Sequence, residues 1–473
     1  MKKLILLTIA AFGFALLFTS CDDELATSPI DSIDANAAFQ SVGDLVDGAN
    51  GAYAAVSGAN IYSINALMTD ELRRASTNTG QGMQIFNHNI IPSDGTIGGA
   101  WANAYGAIDR ANRVLAAAEN IEAETAAEVE LKDQVVGEML ALRAYQHFEL
   151  YRIFVDYQEA GSGLAVPYMT ESVIGQPARD TKADFFTQLL ADISEAETLL
   201  TPLGYFSNLR LNIHAVQGLR ARVALYQEDW PTAIDYATRV IDAVPLTPRS
   251  EYQNLWDDSL QGEVVFKLRR TGPSQELTER SGNDDIFFYL SNELSQLYNE
   301  TDDIRFLSWY DREAADQVRV FKYNQFSEPF ESPNVSQKNQ ADIKMIRTSE
   351  MYLIRAEAYA QPGAQQDLGA AADDINDLRA ERFTTTVPAS YTNSQDAIDD
   401  IYRERRLELA LEGHRFYDLR RAELPIDRIP ADIDGATNTS TAFVPADDRM
   451  IMHYPIPQAE IFANDNMVQN PGY

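Results

Sequence analysis

The sequence predicts a mainly α-helical protein, built on a helical scaffold that one large irregular insertion interrupts. Apolar side chains recur at helical spacing through residues 98–120 and 126–156, and two helical hairpins follow at 214–247 and 351–382. With 45% hydrophobic residues the chain can bury a large core, and its single cysteine leaves no partner for an internal disulfide. Its stability must therefore come from packing.

Two of the helices are indicated by their start signals. Ser41 is followed three residues later by Asp44, and Thr181 is followed at the same spacing by Asp184. The second pair should open a helix that stops before Pro202, because a proline inside a helix removes a backbone hydrogen bond.

The hairpin at 214–247 has the marks of a tetratricopeptide repeat. Small residues stand at Ala221 and Ala233, and Pro245 follows at the same interval. The turn is Asp229-Trp230-Pro231, with Pro231 expected as the first residue of the second helix. Residues 351–382 form a second copy. The two copies predict repeats over about 41–245 and 346–415, separated by an insertion over about 246–345.

The insertion is irregular and rich in aromatic residues, with a short strand predicted at residues 263–268. Aromatic rings in irregular segments suit carbohydrate recognition, because a flat ring stacks on the apolar face of a sugar. Burial in the core is the alternative interpretation for each ring. The rings are Trp256, Phe287, Phe288, Tyr289, Tyr298, Phe306, Trp309, Tyr310, Phe321, Tyr323, Phe326 and Phe330.

The N-terminus predicts export and lipidation. Two lysines precede an apolar run at residues 4–18, and the sequence Phe18-Thr19-Ser20-Cys21 resembles a bacterial lipobox. We expect residues 1–20 to be a signal peptide, Cys21 to carry lipid and residues 21–40 to form a tether. A free cysteine beyond an ordinary signal peptide is the alternative. The acidic cluster at 22–24 resembles a surface-export signal, and a solvated acidic tail explains it equally well.

The charge of the chain excludes several partners. Its formal net charge is −33, and removing residues 1–20 takes away two lysines and no acids, which gives 36 − 71 = −35. A protein that binds nucleic acid needs a basic surface, and an anionic membrane surface would repel this chain. The same balance favours a neutral ligand, although a local basic pocket could still hold an anionic one.

The sequence carries no recognisable catalytic or metal-binding motif. Its five histidines are scattered, and we find no zinc-protease, serine-hydrolase or phosphate-loop pattern. The oxygen-rich stretches at 283–285 and 302–303 match no calcium loop. No cofactor and no metal site are predicted, and the oxygen-rich stretches leave metal binding open. Acid pairs suited to glycoside hydrolysis stay open, because the chain has 71 acidic residues.

One C-terminal cluster invites a catalytic interpretation that we do not favour. Its acids and histidine are Glu404, Glu408, Glu412, His414 and Asp418. The three glutamates are spaced four residues apart on one helical face, so nearby arginines must offset their repulsion. We expect Arg405, Arg406 and Arg415 to do so. The helix should begin at Ser394 and end at Gly413 as a left-handed cap.

Several stretches of the chain resemble the SusD/RagB family. They are Glu-Arg-Arg at 404–406, Glu-Gly-His-Arg-Phe-Tyr-Asp-Leu-Arg at 412–420, Gln-Asn-Pro-Gly-Tyr at 469–473, Asn-Gly-Ala-Tyr at 50–53 and Trp-Ala-Asn-Ala-Tyr at 101–105. The resemblance runs from Cys21 to Tyr473. It implies a SusD-like α superhelix, a single domain over 41–473, with an irregular C-terminal segment at 416–473.

The resemblance also implies a function. Family members are lipoproteins of the outer membrane of Bacteroidota that face the cell surface, bind oligosaccharides and pass them to a SusC-like TonB-dependent transporter. They are not enzymes and need no cofactor. Two rival classes stay open. One is a tetratricopeptide-type interaction lipoprotein or a peptide-binding family member without a glycan site, and the other is a surface glycosidase or peptidase.

Candidate ligand residues come from two places where family contacts tend to fall. The first is the region of Asp70, Glu71, Arg73 and Arg74, followed by Trp101 and Asn103. The second is the insertion, where we select Tyr289, Trp309 and Tyr323. Changing Tyr289 and Trp309 to alanine is expected to abolish glycan retention and leave the thermal midpoint within a few degrees.

Overall fold

The computed structural model describes residues 38–156, 163–203, 207–270, 279–280, 285–323, 341–433, 442–443 and 453–473. The predicted signal peptide, Cys21 and most of the predicted tether lie outside these residues. So do Phe326, Phe330 and residue pair 283–284.

The described chain is mainly helical, which confirms the predicted fold class. The helices are α1 Val42–Ala55, α2 Ala59–Met68, α3 Met83–Phe86, α4 Gly95–Ala118, α5 Ala126–Phe154, α6 Lys182–Leu200, α7 Ile213–Tyr226, α8 Trp230–Ala243, α9 Asn292–Leu297, α10 Ile304–Trp309, α11 Thr348–Ala360, α12 Leu368–Ala380, α13 Ser394–Glu408, α14 Arg415–Arg421 and α15 Gln458–Ala463. Short 3₁₀ turns lie at Thr201–Leu203, Arg249–Leu255 and Pro430–Asp432.

The strands are short and pair in twos, all antiparallel. They are β1 Leu72–Arg74, β2 Val264–Leu268, β3 Glu279–Arg280, β4 Asp285–Ile286, β5 Phe288–Leu290, β6 Tyr310–Ala314, β7 Gln317–Val320, β8 Ile343–Arg347, β9 Ile426–Asp427 and β10 Ala442–Phe443. The pairs are β1 with β5, β2 with β8, β3 with β4, β6 with β7 and β9 with β10.

The predicted helix starts are confirmed by their hydrogen bonds. The Ser41 side chain accepts from the Asp44 N–H, and the Asp44 carboxylate accepts from the Ser41 N–H, which is a complete capping box. The Thr181 side chain accepts from the Asp184 N–H at the start of α6. These local bonds satisfy backbone donors that have no partner inside the helix.

Helical hairpins form the scaffold. Helix α5 packs against α6, α7 against α8, and α11 against α12. Ala221 and Ala233 are fully buried, as close approach of α7 and α8 requires. Helix α8 begins at Trp230, so Pro231 is its second residue and not its first, and Asp229 is the N-cap. Helix α8 also packs against α11, and this contact joins the two hairpins across the insertion.

A strand near the start of the insertion pairs with the strand at its C-terminal end. Strand β2, predicted from the sequence, pairs with β8 immediately before α11, with Val264 opposite Arg347 and Leu268 opposite Ile343. At Gly218 an added Cβ would meet Ile346 Cγ2 at 2.9 Å, so α7 approaches β8 too closely for a side chain there. The insertion is therefore packed directly on the repeats.

The C-terminal end of α13 differs from the prediction. The helix starts at Ser394 as expected, but it ends at Glu408 with Leu409 as its cap. Gly413 has a φ of 79° and lies in the following turn, where Leu411 is also left-handed with a φ of 61°. The turn places the Leu411 N–H against Glu71 Oε1 at 2.8 Å, so a tertiary contact sets its shape.

The core is a large apolar cluster running from Val42 to Met467, with a second cluster inside the bundle of α11, α12 and α13. Within the described ranges, none of the helices is both long and apolar enough to span a membrane.

Candidate functional site

Strand pairing brings together two predicted site residues that lie far apart in the sequence. In the β1–β5 pair Arg73 stands directly opposite Tyr289, and Arg74 stands opposite Phe288. The pairing places the region after α2 against the aromatic insertion.

The Arg73 and Tyr289 side chains are in direct contact. The Arg73 guanidinium carbon lies 5.6 Å from the centre of the Tyr289 ring, which is within the range of a cation–π contact. Arg73 Nη1 also lies 3.0 Å from Asp316 Oδ2 and donates to the Asp316 carbonyl. The Asp316 side chain is 60% exposed, and Tyr289 retains 9% of its surface. An aromatic ring, a guanidinium and a carboxylate therefore meet at the protein surface.

The hairpin of β6 and β7 completes this surface. Arg319 Nη1 lies 3.0 Å from Glu313 Oε1, and the Arg319 guanidinium carbon lies 5.1 Å from the centre of the Phe321 ring. Burial raises the pKa of the Tyr289 hydroxyl, and the nearby charge of Glu313 raises it further. The Arg73–Tyr289 surface consists of Arg73, Tyr289, Glu313, Asp316 and Arg319.

Sequence reasoning missed the three hairpin members of this surface. The aromatic pattern of the insertion gives no signal for Glu313, Asp316 or Arg319. The alternation of Gln317-Val318-Arg319-Val320 was an available signal, since its two valines are buried and its polar residues are not. A hairpin prediction there would have placed Asp316 in the turn.

Asp70 is buried and acts within the fold. Its carboxylate contacts Arg415 and Arg406, both from the C-terminal motif. Burial alone would raise the pKa of Asp70, but Arg415 and Arg406 outweigh it and hold the pKa well below its ordinary range. A side chain committed to two buried arginines is not available to a ligand, so we exclude Asp70 from the candidate surface.

Glu71 is also buried. Its Oε1 accepts from the Leu411 N–H, and its Oε2 has no hydrogen-bond partner among the described residues. Burial raises the pKa of Glu71 to about 7. Asp70 and Glu71 thus fix the start of β1, three and two residues before Arg73.

Arg74 and Tyr323 are half-buried. Arg74 Nη2 donates to the Asn78 carbonyl at 3.0 Å. The Tyr323 hydroxyl donates to the Leu411 carbonyl at 3.1 Å, and its ring packs 6.0 Å from Trp256. Both side chains support the turn or loop that they contact.

Trp309 lies in the core, in contrast to its selection as a stacking ring. It is 0% exposed and packs against Tyr252, Trp256 and Tyr310. Lys322 Nζ lies 3.5 Å from the centre of one of its rings. Burial lowers the pKa of Lys322 to about 8. Trp309 has no surface to offer to a sugar, and we exclude it from the candidate surface.

Trp101 and Asn103 lie on α4, apart from the β1–β5 pair. Trp101 is buried against Tyr105 and Phe154, with ring centres 4.9 and 5.0 Å away. Asn103 is exposed. Trp101 and Tyr105 lie about one turn apart on α4, so their contact is packing within the helical scaffold.

The carboxylates of the C-terminal motif form buried ion pairs with basic side chains, which is the type of interaction that the sequence predicted. The partners differ from the prediction: Glu404 contacts Arg305 and Arg379, Glu408 contacts Arg305, Arg347 and Arg382, and Glu412 contacts Lys322 and Arg347. The arginines expected to serve them pair elsewhere, Arg405 with Asp418 and Arg406 and Arg415 with Asp70. Spacing within the helix did not identify these partners, because the helix faces arginines from α10, from β8, from α12 and from the residues directly after α12.

His414 has no features of an acid–base catalyst. Burial and the charge of Arg222 lower its pKa well below the ordinary value for histidine, so the imidazole is neutral. Across the described part of the chain, no group of three or more His, Cys, Asp or Glu side chains is arranged to hold a metal ion.

The helical hairpins and the packed insertion define a tetratricopeptide-like α-superhelical protein. Two family models match this chain: one described as "SusD family" over residues 308–473, and one described as "Starch-binding associating with outer membrane" over residues 25–225. The chain belongs to the SusD family, which confirms the resemblance found in the sequence.

Individual relatives agree with this assignment. A SusD-like protein of Formosa agariphila is 23% identical over 525 aligned residues, covering 97% of this chain and 96% of that protein. The starch-binding protein SusD of Bacteroides thetaiotaomicron is 35% identical over 133 residues, which cover 28% of this chain and 22% of that protein. The crystal structure of a putative sugar binding protein from Bacteroides vulgatus has a TM-score of 0.77 and 26% identity, with coverage of 92% of this chain and 99% of that one.

Proposed function

We propose that this chain is a glycan-binding lipoprotein of the outer membrane, which captures oligosaccharide at the cell surface and delivers it to a SusC-like TonB-dependent transporter. Its membership of the SusD family supports this function, and so do its similarities to a starch-binding protein and to a sugar binding protein. In this proposal the chain holds its ligand and breaks no bond.

The Arg73–Tyr289 surface is the observation on which the proposed glycan site depends. Tyr289 keeps 9% of its surface exposed, so a sugar could pack only on that small part of the side chain, and the charged groups around it can bond to hydroxyls. The rim carries two arginines and two acids, Arg73 and Arg319 with Glu313 and Asp316. This balance fits a neutral ligand, because neither sign of charge dominates.

Buried ion pairs and hydrogen bonds hold the backbone next to the Arg73–Tyr289 surface. Below Arg73, the Asp70 carboxylate is fixed by Arg406 and Arg415. Beside Tyr289, the Ser291 N–H donates to the Glu71 carbonyl and the Ser291 Oγ donates to the Asp70 carbonyl. A site held by buried contacts loses little conformational entropy when a ligand binds, which favours affinity.

Affinity electrophoresis tests the site. The purified protein is run through gels that contain soluble starch or another neutral polysaccharide, and the wild type is expected to be retarded by at least one. Tyr289→Ala should abolish that retardation, because it removes the ring and leaves Arg73 without its packing partner.

Tyr236 provides a matched control. It also has an arginine over its ring, with Arg239 at 4.5 Å, and its hydroxyl donates to Glu197 at 2.8 Å, but it lies on α8. Tyr236→Ala should therefore migrate as the wild type does. Equal retardation of Tyr289→Ala and wild type would exclude this surface. Release of shortened sugars by the purified protein would favour the glycosidase alternative, and a wild type that no polysaccharide retards would favour the interaction lipoprotein.

A further inference from the structure

One short segment after α14 contacts the chain on both sides of the β1–β5 pair. The clamp segment consists of residues 428–432, which directly follow β9 and end in the 3₁₀ turn Pro430–Asp432. Its two charged side chains, Arg428 and Asp432, are each only 3% exposed. A charged side chain is buried at a cost unless hydrogen bonds replace its water, so the partners of these two residues indicate their role.

Arg428 holds the chain that leads into β1. Its Nε donates to the Thr69 carbonyl at 2.8 Å and its Nη2 donates to the Leu67 carbonyl at 2.8 Å, both at the C-terminal end of α2. Its Nη1 donates to the Phe86 carbonyl at the end of α3, at 2.6 Å. The last carbonyls of a helix have no partner inside the helix, and a cation is favourable there. Since Thr69 lies four residues before Arg73, Arg428 fixes the approach to β1.

Asp432 holds the chain that leaves β5. Its Oδ1 accepts from the Asn292 N–H at 2.7 Å and from Asn292 Nδ2 at 2.8 Å. Its Oδ2 accepts from the Glu293 N–H at 3.1 Å. These bonds satisfy backbone donors at the start of α9, three residues after Tyr289. Asp432 therefore fixes the end of the strand that carries the tyrosine ring.

The clamp segment thus holds both strands of the candidate site. Arg73 in β1 stands opposite Tyr289 in β5, and the two ends of the clamp segment contact the chain before the first strand and after the second. Asp432 also lies within the field of Arg73. Burial raises the pKa of the Asp432 carboxyl, and the hydrogen bonds it accepts and the charge of Arg73 oppose that rise. A shift of the clamp segment would consequently move Arg73 relative to Tyr289.

We propose that Arg428 and Asp432 are positioning residues for glycan binding, which hold Arg73 and Tyr289 in the arrangement that the ligand contacts and do not themselves touch the ligand. The proposal rests on the proposed function for the glycan site. It adds that binding depends on two buried residues of a third segment, because a site whose geometry is set in advance loses less conformational entropy when it binds.

Affinity electrophoresis of Arg428→Lys tests the proposal. The gels contain a series of concentrations of soluble starch, laminarin or galactomannan, three neutral polysaccharides, so that each variant yields a dissociation constant. Lysine keeps the positive charge, but its single nitrogen cannot reproduce the fixed directions of a guanidinium that donates to three carbonyls. We expect the dissociation constant to rise about ten-fold, because the site must then be ordered at each binding event.

Arg420 provides a matched control. It is also fully buried, and it donates to the Arg152 carbonyl at 2.7 Å and to the Val155 carbonyl at 3.2 Å, at the C-terminal end of α5. Arg420→Lys should lower the thermal midpoint as Arg428→Lys does, and it should leave the dissociation constant at the wild-type value. Thermal midpoints of both variants separate the loss of affinity from the loss of stability.

Asp432→Asn is a second variant, which tests the same proposal even where Arg428→Lys fails to fold. The amide has one accepting oxygen in place of two, so it should lose the bond to Asn292 or the bond to Glu293 and weaken glycan binding to a similar extent. Asp94→Asn is its control. Asp94 accepts from two backbone N–H groups of α4 through a single oxygen, and asparagine can do the same.

The outcomes separate this proposal from the proposed function. Wild-type affinity in both Arg428→Lys and Asp432→Asn would overturn the positioning role and leave the glycan site intact. So would an equal loss of affinity in Arg420→Lys, since the effect would then follow from stability alone. A wild type that none of the three polysaccharides retards would contradict the proposed function, and the positioning role would fall with it. Weak binding by Arg428→Lys beside wild-type binding by Tyr289→Ala would place the ligand elsewhere and overturn both.

Discussion

The Asp70 carboxylate and the Arg415 guanidinium meet at two points, with Nε 2.9 Å from Oδ1 and Nη2 2.7 Å from Oδ2. Arg406 adds a third contact, 3.1 Å from Oδ2. The pair joins residues that are 345 positions apart, so the family motif of the C-terminus directly supports the strand that carries Arg73. The motif therefore contributes to the candidate site without touching it.

Replacing Asp70 by asparagine should destabilise the protein strongly. The variant leaves the buried charges of Arg406 and Arg415 without their counter-ion, and breaking one side of a buried pair costs about 3–5 kcal/mol. Urea denaturation followed by tryptophan fluorescence should show the midpoint shifted to lower urea. Asp109→Asn is the control, because its pair with Arg113 is exposed and such pairs contribute about 0–1 kcal/mol. Equal shifts for the two variants would contradict a structural role for Asp70.

Replacing Glu71 by glutamine should change how stability depends on pH. Burial raises the pKa of Glu71 to about 7 from an ordinary value of 4.5, while the Leu411 N–H opposes the rise. Between these two pH values the native state holds a proton that the unfolded state has released, so wild-type stability falls as pH rises. The variant has no such proton, and its Oε1 can still accept from Leu411.

The free energy of unfolding of Glu71→Gln minus that of the wild type should therefore increase from about pH 4.5 to about pH 7. The total rise should be about 3 kcal/mol, since each pH unit contributes up to about 1.4 kcal/mol, and it should level off at higher pH. Denaturation curves at a series of pH values measure it, with the difference at pH 4.5 as internal reference. A difference that stays constant or falls over this window would show that Glu71 is ionised throughout.

Local features of the fold could be predicted from the sequence, because local residues determine them. Ser41 and Thr181 cap their helices through bonds that span three residues. Ala221 and Ala233 are buried where a repeat needs small residues. Strand β2 was also found by its apolar run. Each of these features is encoded within one short stretch.

Features that depend on distant contacts could not be predicted in the same way. Glu408 meets Arg305, Arg347 and Arg382, and helical spacing alone pointed to arginines of its own segment. The left-handed turn at Leu411 is shaped by a bond to Glu71, 340 positions away. The composition of the insertion indicated rings but not which of them reach the surface.

The contrast between Trp309 and Tyr289 gives the last prediction. Trp309 is 0% exposed, so Trp309→Ala should lose about 3–5 kcal/mol through the cavity left among Tyr252, Trp256 and Lys322. Tyr289→Ala should cost less, because its ring borders solvent and Arg73 can rehydrate. The sequence-based expectation that both changes spare stability should therefore hold for Tyr289 alone. Urea denaturation measures both variants, with Trp309→Phe as the control that keeps most of the packing. Wild-type stability in Trp309→Ala would show that the ring contributes little to the core and would return it to the set of candidate ligand residues.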